Sequence, residues 1–522
     1  MTTTLFSART MRTASGIKGD AILVEDGRVV ALGNRHHLSG GVNVVDFPGA
    51  VLLPGLRDAH LHPVAYAAAL RGATLAAAGD FNDVARHIRD TAATTSPAAP
   101  VIGMRLNEET LTERRLPDRA VLDAAVSDRT VLVHRYCGHV AIANTAALAA
   151  AGIDAASPDP HGGLIDRDGE GNPTGVLRET AIELVSEGLG GGNQVSPDEF
   201  LSGLNRLAGL GLTSIGAILR SGAGAWASLG NEVDIAVAAA DRIPINVGVY
   251  VIEDDPEVVA ITRNRIHDAG GRMRWLGIKR FGDGSFGGHT AAMHEPFTDR
   301  DTIGTLRIGD IDRRVAEASL AQSGSVAIHA IGDHACSAVI DLYTDLIADG
   351  ADPRRLRIEH ASVLTRNDIQ RLGELGIVAA VQPPFMASES AWLVNRIGEE
   401  RLQRTYPFAD MEAAGTVLAG SSDCPVEPPD PWAGMALARD RSGLPKGQAL
   451  SPERALAMYT TGGAIALDET EPLTAGSPAD FIVVDRDPVA ASPDELRATE
   501  VLATYVDGVE LEVDRSQPFW QD

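Results

Sequence analysis

Cysteine is scarce in this chain: Cys137, Cys336 and Cys424 are all it has. An odd, small count in a long chain fits a reducing compartment better than a disulfide framework. Basic residues are outnumbered, 45 Lys and Arg standing against 71 Asp and Glu for a formal charge of -26. Such a field repels phosphate, so neither a nucleic acid nor an anionic membrane is expected as a partner. Long apolar runs are missing as well. Nothing approaches the roughly 18 apolar residues of a spanning helix, the Ala-rich stretch from Val64 to Ala78 is broken by Arg71, and Met1 to Thr13 has no apolar core of secretory-signal length. The expected location is the cytoplasm.

What is present suits a large globular protein. Its 522 residues are 44% hydrophobic and 22% charged, with 54 Gly and 28 Pro, enough for one large domain and an accessory one joined by many tight connections. The ends share a texture of short β runs. Ala21-Ile22-Leu23-Val24 and Arg28-Val29-Val30-Ala31 flank an Asp26-Gly27 hairpin signal, and Ala479 to Asp485 and Val501 to Leu511 repeat the pattern. Neither end can bury its own face, so residues 1–53 and 470–522 are expected to combine into one β-sandwich domain.

Between them, residues 54–469 alternate strands with helical stretches. The strand readings are the run ending at His60-Leu61-His62, then Leu212–Ile218, Ile245–Val251, Leu276–Phe281, Val326–His329, Leu356–His360, Ile377–Val381 and Thr416–Gly420. Eight such strands predict an α/β architecture, a (β/α)8 TIM-like barrel with its chemistry at the C-terminal strand ends. His60, Lys279, His329, His360 and Asp423 all fall at or just past those ends. Residues from about 64 to 206 do not fit the barrel period and read as an insertion after the first strand, with one strand at Thr130–His134 and Ala-rich helices, placed to cover the site.

On a strand His60 and His62 point the same way, with Asp58 beside them. Together with His329, His360 and the Asp423 carboxylate, they form a ligand mix suited to zinc and similar divalent ions. Asp58-Ala59-His60-Leu61-His62, His329-Ala330-Ile331-Gly332-Asp333, Arg357-Ile358-Glu359-His360-Ala361 and Gly420-Ser421-Ser422-Asp423 resemble the amidohydrolase superfamily. Lys279 to Ala292, Gly138-His139 with Asn144, Pro173 to Glu179 and Ser477 to Asp480 resemble its YtcJ-like branch, which includes N-substituted formamide deformylases.

The resemblance implies one or two divalent metal ions, zinc first among them, held by His60 and His62, by His329 and His360, and by Asp423, with Lys279 bridging as a carbamate formed from CO2. It also implies that a hydroxide on the metals attacks an amide carbonyl while Asp423 serves as general base and then acid. The substrate would be a small linear amide or formamide, and a homodimer is the assembly common among look-alikes. His139, Glu179, Asp283, His289 and Gln382 are the expected substrate contacts, with Trp392, Phe385 and Met386 as candidates for an apolar wall. His289 and His334 stand where the branch usually carries Arg, removing permanent charge near the mouth.

Two alternatives stay open at this stage. One is a mononuclear deaminase of a heterocyclic amine, against which strand alternation is expected to point Glu359 away from His360. The other is an inactive metal-binding regulatory protein, which the completeness of the ligand set disfavours.

Overall fold

The computed structural model describes residues 3–136, 138–160, 162–189, 194–222, 231–513 and 515; Cys137 lies outside them. Eight parallel strands form the central sheet: β1 (Leu56–Leu61), β2 (Leu212–Arg220), β3 (Asn246–Ile252), β4 (Met273–Phe281), β5 (Ser325–Ala330), β6 (Leu356–His360), β7 (Val378–Val381) and β8 (Leu418–Gly420). They hydrogen-bond in that sequence from β1 to β8. Just past the two edge strands the Asp423 N–H donates to the His60 carbonyl at 2.8 Å and the His62 N–H to the Cys424 carbonyl at 2.7 Å, so the barrel nearly closes where the first and last strands end.

These strands read as apolar runs because both faces are covered, one by the helical layer and one by the barrel interior. The helix Pro197–Gly209 shows how that layer is built. Ser196 caps it with a reciprocal bond to Glu199, Pro197 opens its first turn, and Phe200, Leu204 and Leu207 are buried. Complete burial of a side chain such as Phe200 contributes about 2–3 kcal/mol. Between β4 and β5 the backbones come so close that a Cβ on Gly277 would lie 1.9 Å from the Ser325 carbonyl oxygen.

Both chain ends meet in one seven-stranded sheet. Its central strand, Asn43–Pro54, runs parallel to Thr3–Thr13 on one edge and antiparallel to Phe481–Val484 on the other. The described strands are hydrogen-bonded in one continuous order through Asn43–Pro54. At the expected hairpin, Asp26 and Gly27 adopt φ of 48° and 77°, both in the left-handed region that such a turn requires.

Residues 73–179 carry more strand than the sequence reading anticipates. Six strands, among them Val131–Arg135, Val140–Ala143 and Pro173–Glu179, form a mixed sheet of their own. Several are only two to five residues long, too short for a periodic signal. No described helix is long and apolar enough to cross a membrane.

Candidate metal centre

The C-terminal ends of β1 and β6 and the loop after β8 bring ligand atoms of His60, His360 and Asp423 within 4.8 Å of one another, all three side chains buried. His60 Nε2 lies 3.2 Å and His62 Nε2 3.3 Å from the same Asp423 oxygen. The two imidazoles therefore do share one target, although β1 is not regular. Its register with β2 slips between Ile215 and Ala217, a bulge-like irregularity of the kind that re-aims side chains beside active sites.

Asp58 braces this corner. Its carboxylate accepts from the His60 N–H at 3.0 Å, and from the Ser422 N–H at 3.1 Å and hydroxyl at 2.5 Å, tying β1 to the loop that carries Asp423. Burial pushes the Asp58 carboxyl up to about 7 despite those bonds. Asp423 itself sits at φ 58°, in the left-handed region, which turns its side chain back toward β1. Burial favours its neutral form, but His60 and His62 outweigh that and hold it well below the usual carboxylate range.

Backbone conformation also explains His360. Along β6, Arg357 and Glu359 face the barrel interior while Ile358 packs in the main apolar core. By alternation His360 would follow Ile358 outward, but a φ of 71° at His360 turns it inward. A non-glycine residue held there costs about 1–3 kcal/mol, a strain typical of functional positions. Its Nδ1 donates to Gln382 Oε1 at 2.7 Å, and its ring stacks on Phe385 with centroids 5.7 Å apart.

Glu359 corrects the sequence reading. Expected to point away from His360, it lies beneath the cluster, one carboxylate oxygen on His60 Nδ1 and the other on Arg357 Nε. Strand alternation fails for this pair because its second member, His360, leaves the alternating conformation. The available signal was Arg357 and Glu359 themselves, two charges at i and i+2 in an otherwise apolar strand.

His329 adjoins the cluster, its ring 4.4 Å from that of His360, while its Nε2 donates to the Gly284 carbonyl at 2.9 Å. Lys279 is buried at the end of β4, its Nζ donating to the Arg280 carbonyl at 3.2 Å and lying 3.8 Å from the Phe281 ring centroid. Burial lowers its ammonium to about 8, against the pull of Glu359 and Asp423. Among the described residues Lys279 forms no ion pair with Asp283, whose carboxylate meets His329 and backbone N–H groups instead.

The five expected substrate contacts divide. His139 lies over the cluster, its ring 5.6 Å from His329, and its Nδ1 is 2.9 Å from Glu179 Oε2. Glu179 also accepts from Arg307 at 2.9 Å, so the dyad links the insertion to the loop after β4. The other three are bonded to protein groups. Asp283 is fully buried and accepts the N–H groups of Ala292, Ile331 and Gly332 at 2.9, 3.0 and 2.8 Å, stapling the loops after β4 and β5. His289 pairs with Asp299 at 3.0 Å, and Asp299 in turn takes the Arg396 guanidinium. Gln382 is consumed by His360 and by its bond to the Ser421 hydroxyl at 2.9 Å. His334 stacks on His294 at 5.0 Å, Trp392 donates to the Ser388 carbonyl at 2.8 Å, and Met386 is core.

A barrel with three imidazoles and a carboxylate converging at its C-terminal end suits a divalent cation. The model of the amidohydrolase family matches residues 43–511. The chain belongs to the amidohydrolase family. Among similar proteins are the putative amidohydrolase YtcJ of Bacillus subtilis (strain 168), 28% identical with 94% of this chain and 96% of that protein covered, and N-substituted formamide deformylase of Arthrobacter pascens, 28% identical with 94% of each covered. A metal-dependent hydrolase of Pyrococcus furiosus, its structure solved, superposes with a TM-score of 0.72 at 27% identity, covering 93% of this chain and all of that one. This amidohydrolase is therefore a metal-dependent hydrolytic enzyme.

Proposed function

We propose that this amidohydrolase cleaves the carbon-nitrogen bond of a linear amide, with N-substituted formamides as the first class to test. The observation that carries the reading is the Asp423 carboxylate, buried within 3.2 and 3.3 Å of His60 and His62 and beside His360. That donor set fits a divalent ion such as zinc, with His60, His62, His360 and Asp423 to hold it and His329 adjoining. When bound, such an ion polarises a carbonyl and lowers the pKa of water toward neutrality.

The chain's own groups supply the rest. Asp423 is ionised and placed to take the proton of an attacking water and return it to the departing nitrogen. His139, held by Glu179, is placed to hydrogen-bond the substrate from the insertion side, and Phe385 supplies an apolar wall against His360. Lys279 gives up its proton far more readily than an exposed lysine, and a neutral amine adds to CO2, forming an N–C bond and releasing one proton to leave a carbamate. That carbamate is part of the proposal. The name of the Arthrobacter relative supports the formamide class.

Hydrolytic deamination of a heterocycle calls for a proton-transferring group beside the substrate, a role for which a carboxylic acid is one candidate. Glu359, the buried acid nearest His60, has both oxygens committed to His60 and Arg357 and no exposed surface. The test is hydrolysis of a panel of N-substituted formamides, N-acyl amines and heterocyclic amines by zinc-reconstituted enzyme, following amine, carboxylate and ammonia. Ammonia from the heterocycles with no amide cleaved would overturn the proposal.

A further inference from the structure

We infer that Glu359 is the positioning residue of this centre: it holds His60 as the Nδ1–H tautomer, so that Nε2 faces the cluster, and Arg357 holds Glu359. The inference rests on reading the cluster as a metal site and goes beyond it by assigning a role to two residues that touch neither metal nor substrate.

Four side chains form one buried line across the barrel. Arg357 lies with its guanidinium carbon 4.2 Å from the Tyr250 ring centroid, and Tyr250 donates from its hydroxyl to the Ala466 carbonyl at 3.3 Å. The Arg357 Nε donates to one Glu359 oxygen, and the other oxygen meets His60 Nδ1. On its far side His60 presents Nε2, 3.2 Å from Asp423. Arg357, Glu359, His60 and Tyr250 are each no more than 3% exposed, so no water competes for these bonds.

The chemistry of the partners sets the direction. An arginine only donates, which requires Glu359 to accept on that side, and a carboxylate so paired has only lone pairs to offer His60. The hydrogen between them must therefore sit on Nδ1, leaving the Nε2 lone pair for a cation. Remote acceptors of this kind fix the ring of a ligating histidine and raise its donor strength, and their loss typically costs 10–100-fold in metal affinity. A glutamine at this position keeps the size but presents an amide N–H to one of two neighbours that are both donors.

The test is zinc affinity, by competition with a chromophoric chelator, for the unaltered enzyme, E359Q, H60N and the double variant. E359Q is expected to weaken zinc about 10–100-fold, and to weaken it less than threefold further when His60 is already Asn. No loss in E359Q, or equal losses in both backgrounds, would overturn the inference. Should E359Q fail to fold, imidazole 15N spectra of the unaltered zinc-loaded enzyme decide. A proton on His60 Nδ1 with Nε2 ligated, assigned by the signal missing from H60N, supports it, and a ligated Nδ1 overturns it. An enzyme that shows this coupling yet cleaves no amide sinks the proposed activity and leaves Glu359 in its role. One that cleaves amides with equal losses in both backgrounds sinks only the role of Glu359.

Discussion

Replacing Glu179 with Gln removes the charge that joins the insertion to the barrel, and the structure sets the size and the pH range of the effect. Glu179 Oε2 lies 2.9 Å from His139 Nδ1 and 2.9 Å from Arg307 Nη2. Burial alone would raise its carboxyl, but His139 and Arg307 prevail and bring it from the ordinary 4.5 to about 2. At 1.36 kcal/mol per tenfold, that lowering corresponds to about 3 kcal/mol of stability at pH 7. With only 7% of the side chain exposed, solvent screening takes little of it. A folded pKa below the unfolded one gives stability that is complete above 4.5 and lost as pH falls toward 2. The contribution shrinks as pH falls through the acid range and is less than half its full size by pH 3. Urea unfolding of the enzyme and of Glu179→Gln at pH 7, 4 and 3, followed by tryptophan fluorescence, measures the gap between them. Because Gln retains neutral hydrogen bonds, a gap of about 2–3 kcal/mol is expected at pH 7, less than half of it remaining at pH 3. A gap that is absent at neutral pH, or constant across the series, would refute the charge argument.

Glu232 titrates the other way: it accepts from the Arg220 N–H at 2.8 Å, and burial pushes it up to about 7. An acid raised on folding costs stability as pH rises from 4.5 through 7, so Glu232→Gln should gain up to about 3 kcal/mol at pH 8 and little at pH 5, and a loss at pH 8 in urea unfolding would contradict this. Gly277→Ala drives a methyl against the Ser325 carbonyl between β4 and β5 and should cost at least about 1–3 kcal/mol, seen as a lower thermal midpoint. Exhaustive chelation should abolish hydrolysis, with zinc restoring it; full activity in verified metal-free enzyme would remove the proposed chemistry.

How much was legible follows from which interactions are local. The barrel strands announced themselves because parallel strands covered on both faces become short apolar runs, and polar residues at or just past five of the eight run ends marked the face where chemistry gathers. The hairpin at Asp26-Gly27 was equally local, since two positive φ angles demand such residues. What escaped depends on backbone that departs from its regular course or on partners far apart in sequence. Asp283 looked like a substrate contact because its charge follows a strand end, but its three amide donors come from residues 292, 331 and 332, which no spacing rule connects to it. Glu359 was lost through one dihedral angle, because alternation assigns faces only while each residue stays extended. With φ at 71°, His360 abandons the outward face that Ile358 keeps, so both it and Glu359 reach the centre, one beside the cluster and one beneath it. A strained histidine and a buried acid, adjacent in sequence, thus supply the two layers of one site. The strain turns His360 inward while Arg357 and His60 hold Glu359 in place, which is why neither layer could be read from the periodicity of β6.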